Sequence, residues 1–139
     1  MSWLLDTCVL SELLKDKPDA SVVRWLASVA EDACHISVLT IGEFQKGIAR
    51  MGDSKRAVRL REWVDTELAS RFAGRVLDVD AATASIGGAL CGEAERRGRK
   101  LAVMDSLIAA TAQRHSLTVV TRDVTHMKAA GVPTVNPWE

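Results

Sequence analysis

The order of apolar patterns along the chain predicts an α/β fold: a single domain over residues 1–139, with a short parallel sheet flanked by helices on both faces. Two observations carry this. Strand-like and helix-like stretches alternate from the first residues to the last, and strands joined through helices pair in parallel. The 139 residues are 47% hydrophobic and 26% charged, which suits one domain with its own core and excludes a disordered chain.

The first element is "WLL", residues 3–5, a short buried strand. In "VLSELLKD" the residues Val9, Leu10, Leu13 and Leu14 share a helical face, and Pro18 breaks the pattern. "SVVRWLASVAE" is a second helix with Val22, Val23, Leu26 and Val29 as its stripe, and "CHISV" is strand-like. "TIGEFQKGIARM" opens with Thr40 and Glu43 in the S/T-x-x-E spacing of a capping box, so a helix is expected to start at Thr40 and to end near Gly52. "SKRAVRLREWVDTELASRFA" reads as one long amphipathic helix from about Ser54, followed by a short extended segment in "RVLDVD". "AATASIGGALCGEAERRG" is a small-residue helix with Gly98 as its stop, and its Gly87-Gly88 pair reads as close helix packing. "MDSLIAATAQRHS" is an alanine-rich helix beginning near Asp105, and "LTVVTRD" is the clearest strand. A short helix in "VTHMKAAG" leads to "PTVNPWE", whose Pro133 and brevity place it at a sheet edge.

Bulk properties remove several classes of function. Eighteen basic and 18 acidic side chains give zero net charge, so bulk electrostatics alone does not hold a nucleic acid here. Cys8, Cys34 and Cys91 form no C-x-x-C, which suggests neither a disulfide framework nor a cysteine zinc site and fits reduced thiols in a cytoplasmic protein. No apolar run is long enough to span a membrane, and Asp6 interrupts the N-terminal one, so no signal peptide is expected. P-loop, G-x-S-x-G and dinucleotide fingerprints are absent.

Four acids stand out by position. Asp6 ends the first strand and Asp123 ends "LTVVTR", while Glu43 and Asp105 lie in first helical turns. In an open parallel sheet, the carboxyl ends of the strands and the helix N-termini that follow them share one edge, where ligands bind. Each acid alone could be a cap or a dipole partner. Together they would repel one another unless they held protons or bound a cation, and oxygen-only donors favour Mg²⁺ or Mn²⁺ over Zn²⁺. Such an ion can polarise a phosphate and activate water, the chemistry of metal nucleases. "ERRGRK", "SKRAVRLR" and Arg122 supply basic side chains, although each run could also be a solvated helix face. His35, His115 and His126 are scattered without ligand spacing and read as surface or core residues, His126 being near Asp123 in sequence.

"LLDTCVLSEL", "SVLTIGEFQKGI", "MDSLIAATAQRHSLTVVTRD" and "GVPTVNPWE", in this order and spacing, resemble a PIN-domain ribonuclease, and in particular the VapC-type toxins of toxin–antitoxin pairs in their FitB-like branch. The resemblance covers essentially the whole chain. It implies a parallel α/β fold, a Mg²⁺- or Mn²⁺-dependent endoribonuclease that cuts RNA, a homodimer, and a small antitoxin, itself DNA-binding, that blocks the site. It carries the acidic quartet onto Asp6, Glu43, Asp105 and Asp123 as catalytic and metal-binding residues, with Thr7 and Thr121 as supporting hydroxyls. Two positions depart from the family pattern. Cys8 stands where the first motif usually has Asn, losing that side chain's hydrogen bond, and His126 stands where many relatives carry a further acid. A catalytically inactive PIN module that binds protein or nucleic acid is the alternative, which the intact quartet disfavours. A Mg²⁺-binding receiver domain would need a Lys ending a late strand, and Arg122-Asp123 does not supply it.

Overall fold

The computed structural model describes all residues, 1–139. Five strands form one parallel sheet in the order β3-β2-β1-β4-β5: β1 Trp3–Leu5, β2 Cys34–Ser37, β3 Val76–Leu77, β4 Thr118–Val120 and β5 Thr134–Val135. β1 is central, and its three apolar residues, Trp3, Leu4 and Leu5, suit a strand covered on both faces. Its register sets Trp3 beside both Cys34 and Thr118, and Leu5 beside Val120. The β5 strand lies at an edge, as the sequence predicts. Pro133 just precedes it, and its carbonyl accepts from Val119 N at 2.9 Å.

The pleat divides the core. Leu5 and Val120 point into one apolar cluster with Val9, Val22, Ile36, Phe44 and Ile48. Leu4 and Val119, one residue away, point into a second with Ile108, Ala109, Ala112 and Met127. The first layer is built by α1 (Thr7–Leu13), α2 (Ala20–Ser28), α3 (Val38–Met51) and α4 (Lys55–Glu62). The second is built by α7 (Val103–His115) and α8 (Val124–Ala129), with α6 (Ala81–Arg96) packed along α7. Gly87 sits at that crossing. A Cβ placed there would stand 3.0 Å from Leu107 Cδ2, so the expected close packing holds for Gly87 but not for Gly88, which has open space beside it.

Two helix boundaries differ from expectation. α3 starts at Val38 rather than Thr40, because Ser37 takes the N-cap and accepts from Leu39 N at 3.0 Å. Thr40 is buried inside the helix, and Glu43 therefore closes no capping box. The long helix from Ser54 is not uniformly α. It widens into a π-helical stretch at Trp63–Leu68 before a last turn, α5 (Ala69–Arg71). Thr66 Oγ1 donates to the Glu62 carbonyl at 2.6 Å, drawing that acceptor away from the regular ladder, and the wider turn keeps Val64 and Leu68 buried. No helix is long and apolar enough to cross a membrane.

Candidate functional site

β1 ends at Leu5, and Asp6 turns the chain directly into α1. Its backbone N–H donates to Val120 O at 2.9 Å, which ties this turn to the end of β4. Asp6 Oδ1 accepts from Thr7 N at 2.9 Å, and Oδ2 accepts from Thr121 Oγ1 at 2.8 Å. The carboxylate is thus held by residues just beyond the ends of the two adjoining strands, Thr7 after β1 and Thr121 after β4. Thr121 is fully buried, and its hydroxyl also accepts from Asp123 N at 3.1 Å, so one threonine orders both acidic loops.

Glu43 reaches the same edge from α3, which leaves β2 without an intervening loop. Thr7 Oγ1 donates to Glu43 Oε1 at 2.8 Å and lies 2.9 Å from the Thr40 hydroxyl. The acid that might have capped its own helix is therefore bonded to α1 instead. Asp105 arrives by a different route. α7 ends at His115, Ser116 takes a left-handed conformation (φ 55°), and β4 begins at Thr118. The helix runs against the strand, so its first turn stands at the sheet's carboxyl edge. No side chain caps α7, leaving the Asp105 carboxylate free for the cleft. Asp123 occupies the N-cap position of α8 but makes no cap bond. Its Oδ2 lies 2.6 Å from His126 Nδ1, which also stands 3.8 Å from Asp105 Oδ2.

The four acids feel one another's charge. Desolvation first, and then Asp6 and Asp105, push the Glu43 carboxyl above its ordinary range against the Thr7 bond. Desolvation also raises Asp105; His126 opposes this, and Asp6 and Asp123 add to it. No three histidine, cysteine, aspartate or glutamate side chains close around a single point. The donor chemistry nevertheless fits a hard divalent cation: carboxylate and hydroxyl oxygens from four elements, two of the carboxyls raised above their ordinary range by burial first and by neighbouring carboxylates next, a cost that a cation would relieve. Cys8 stands where the resemblance implies an asparagine, and its Sγ lies 3.7 Å from Thr121 Oγ1 and 3.9 Å from Asp6 Oδ2, contacts weaker than an amide would make. Burial, with the Asp6 charge adding to it, raises the thiol's pKa, so it stays protonated and unreactive.

The element pattern placed Asp6, Glu43, Asp105 and Asp123 at one edge and the resemblance added Thr7 and Thr121; the structure brings all six there. It missed His126 and Thr40. The i,i+3 spacing of Asp123 and His126 across a helix start was the available signal for the first. It also missed the adjoining cavity of about 400 Å³, lined by Thr7, Cys8, Glu43, Lys15, Arg122 and Trp138 among others. The basic runs "SKRAVRLR" and "ERRGRK" contribute nothing to that cavity's lining.

Comparison with known proteins shows the family of this chain. The family model described as "PIN domain" matches residues 3–132. The chain is 39% identical over 135 residues to Toxin FitB of Neisseria gonorrhoeae, covering 97% of each protein. It is 35% identical to VapC ribonuclease Y4jK of Sinorhizobium fredii, covering 98% of this chain and 97% of that one. A solved structure, FitAB bound to the IR36 DNA fragment, superimposes with a TM-score of 0.91 at 38% identity, covering 99% of this chain and 96% of that one.

Proposed function

The chain belongs to the PIN-domain family, and from that premise we propose that it is a divalent-metal-dependent endoribonuclease serving as the toxin of a toxin–antitoxin pair. The convergence of Asp6, Glu43, Asp105 and Asp123 on one edge, each within reach of another's charge, carries the reading. An RNA phosphodiester is hydrolysed by adding water at phosphorus and releasing the adjoining sugar oxygen, which takes a proton. Asp6, Glu43, Asp105 and Asp123 would hold Mg²⁺ or Mn²⁺. When bound, the ion supplies Lewis-acid polarisation of the phosphate and acidification of water.

The chain's own residues do the positioning. Thr121 fixes Asp6 and the turn carrying Asp123. Thr7 fixes Glu43 across two helices. His126 holds Asp123 and faces Asp105, and supplies positive charge between them when protonated. An acidic cleft of this kind suits a cationic plug from a partner. An antitoxin arginine, with its planar fork, would pair with these carboxylates and exclude metal and RNA together. The FitAB–DNA likeness supports a small DNA-binding partner, and a homodimer is the assembly expected of the toxin.

The test is Asp105→Asn. The amide keeps the shape, and the residue caps nothing, so circular dichroism should be unchanged. RNA cleavage with Mn²⁺ should fall by about 100-fold or more, the scale of losing one strong electrostatic contributor. A folded variant cutting at near wild-type rate removes Asp105 from the mechanism. A wild type that cuts no RNA with Mg²⁺ or Mn²⁺ favours the non-catalytic binding module.

A further inference from the structure

The cavity beside the acids has a basic wall that the quartet does not use. Arg122 projects from the turn between Thr121 and Asp123, with its guanidinium 4.8 Å from the centre of the Trp138 ring. It belongs to none of the chain's ion pairs and is exposed to solvent. Trp138 is itself fixed. Its indole N–H donates to Glu12 Oε1 at 3.3 Å, and its backbone N–H donates to Asn136 Oδ1 at 3.0 Å. Glu12 is buried and also accepts from Lys15 Nζ at 3.0 Å and Asp19 N at 3.1 Å, bonds that hold its carboxyl below the usual range. A buried, fully bonded acid thus anchors an aromatic plate and a lysine, and the plate carries an unpaired arginine at the lip of the site.

A cation stacked on a ring has lost part of its rotamer freedom before any ligand arrives, and its N–H groups remain free for a planar or tetrahedral oxyanion. Its single charge lies one residue from an acid proposed to hold the metal ion at the scissile phosphate. Resting on the ribonuclease reading, we propose that the cavity walled by Arg122, Trp138 and Lys15 is a subsite for an RNA phosphate next to the scissile one. Arg122 makes the main contact, Lys15 is half-neutralised by Glu12 and adds a weaker one, and Trp138 positions the guanidinium. The subsite sets strand register: one phosphate is drawn to the basic wall, so its neighbour is presented to the carboxylates. Positioning contacts of this kind are independent of base sequence.

The experiment measures binding of a fluorescein-labelled, mixed-sequence RNA dodecamer by anisotropy in EDTA across a salt series, with Mn²⁺-dependent cleavage measured in parallel. Arg122→Ala should weaken binding several-fold and flatten the slope of log affinity against log salt by about 0.7, the share of one single-strand phosphate contact. Arg122→Lys should keep the slope while recovering only part of the affinity. Arg71→Ala is the control. Arg71 pairs with Glu31 ahead of β2, at the opposite edge of the sheet, and its loss should leave the slope unchanged. An unchanged slope in Arg122→Ala, or a wild type that cleaves RNA yet binds none in EDTA, overturns the subsite and leaves the ribonuclease reading standing. A wild type that neither binds nor cleaves RNA overturns both.

Discussion

Glu43 and Asp105 share one electrostatic predicament. Each is raised above its unfolded value, mainly by desolvation and partly by neighbouring carboxylates. A raised acid contributes stability that is fully present below its unfolded pKa and lost as pH rises through its folded one. The metal-free protein therefore carries an unfavourable contribution from both at neutral pH. Glu43→Gln and Asp105→Asn should each melt higher than the wild type at pH 7 in EDTA, and the difference should fade on acidification through the carboxylate range. A variant that melts lower at pH 7 would show that the Thr7 bond or local packing outweighs the repulsion. Metal binding reverses the preference, since protons compete with the cation. A ligand that binds only the folded state stabilises it by about 2.7 kcal/mol at a hundredfold excess over Kd. Mn²⁺ should thus raise the wild-type Tm, and the gain should shrink in Asp6→Asn; an equal gain in both proteins would place the ion elsewhere.

The α6–α7 pair is the most extensive helix contact in the molecule, and its two glycines are not equivalent. Gly87 is buried against Leu107, whereas Gly88 faces open space. Both lie inside a helix, where glycine costs about 1 kcal/mol relative to alanine. Gly88→Ala should therefore stabilise by about 0.5–1 kcal/mol. Gly87→Val should destabilise by about 1–3 kcal/mol through overpacking, because more than one methyl would have to pass the Leu107 side chain and the Ser106 backbone. Urea denaturation of the two variants side by side reads the difference, and equal effects would mean that α6 can slide on α7 freely. The consequence reaches the site, since α7 carries Asp105 in its first turn.

Across the whole molecule the sheet separates two tasks. Its faces hold the fold: Leu4 and Leu5, the two residues before Asp6, fill opposite clusters. Its carboxyl edge holds the chemistry. Leu4→Ala, at a position with no solvent exposure, should cost about 2–5 kcal/mol and lower expression or Tm. Glu43→Gln and Asp105→Asn should leave stability equal or higher while cutting cleavage by about 100-fold or more. This division is measurable as opposite signs in one thermal-melt series.

The sequence pattern by itself determined the α/β class, the parallel pairing and the four acids at the edge, and the family resemblance added Thr7 and Thr121. Alternating element types dictate crossovers, and crossovers return every strand end and every following helix start to one side of the sheet. "WLLD" and "VVTRD" carry that information locally, as an apolar run stopped by an acid. The resemblance added chemistry to positions that patterning could only gather. What tertiary structure decided were the partners. Whether Glu43 capped its own helix or crossed to Thr7 depended on Ser37 taking the cap three residues earlier than the Thr40-Glu43 spacing implies. That His126 stands between Asp123 and Asp105 depended on how α8 docks beside α7. That Arg122 is aimed by Trp138, and Trp138 by Glu12, depended on contacts spanning up to 126 residues of sequence. Local patterns report which face a side chain leaves from. They carry no information about which distant side chain it meets, because that choice is made by packing, and packing here is shared between two cores on opposite faces of one sheet.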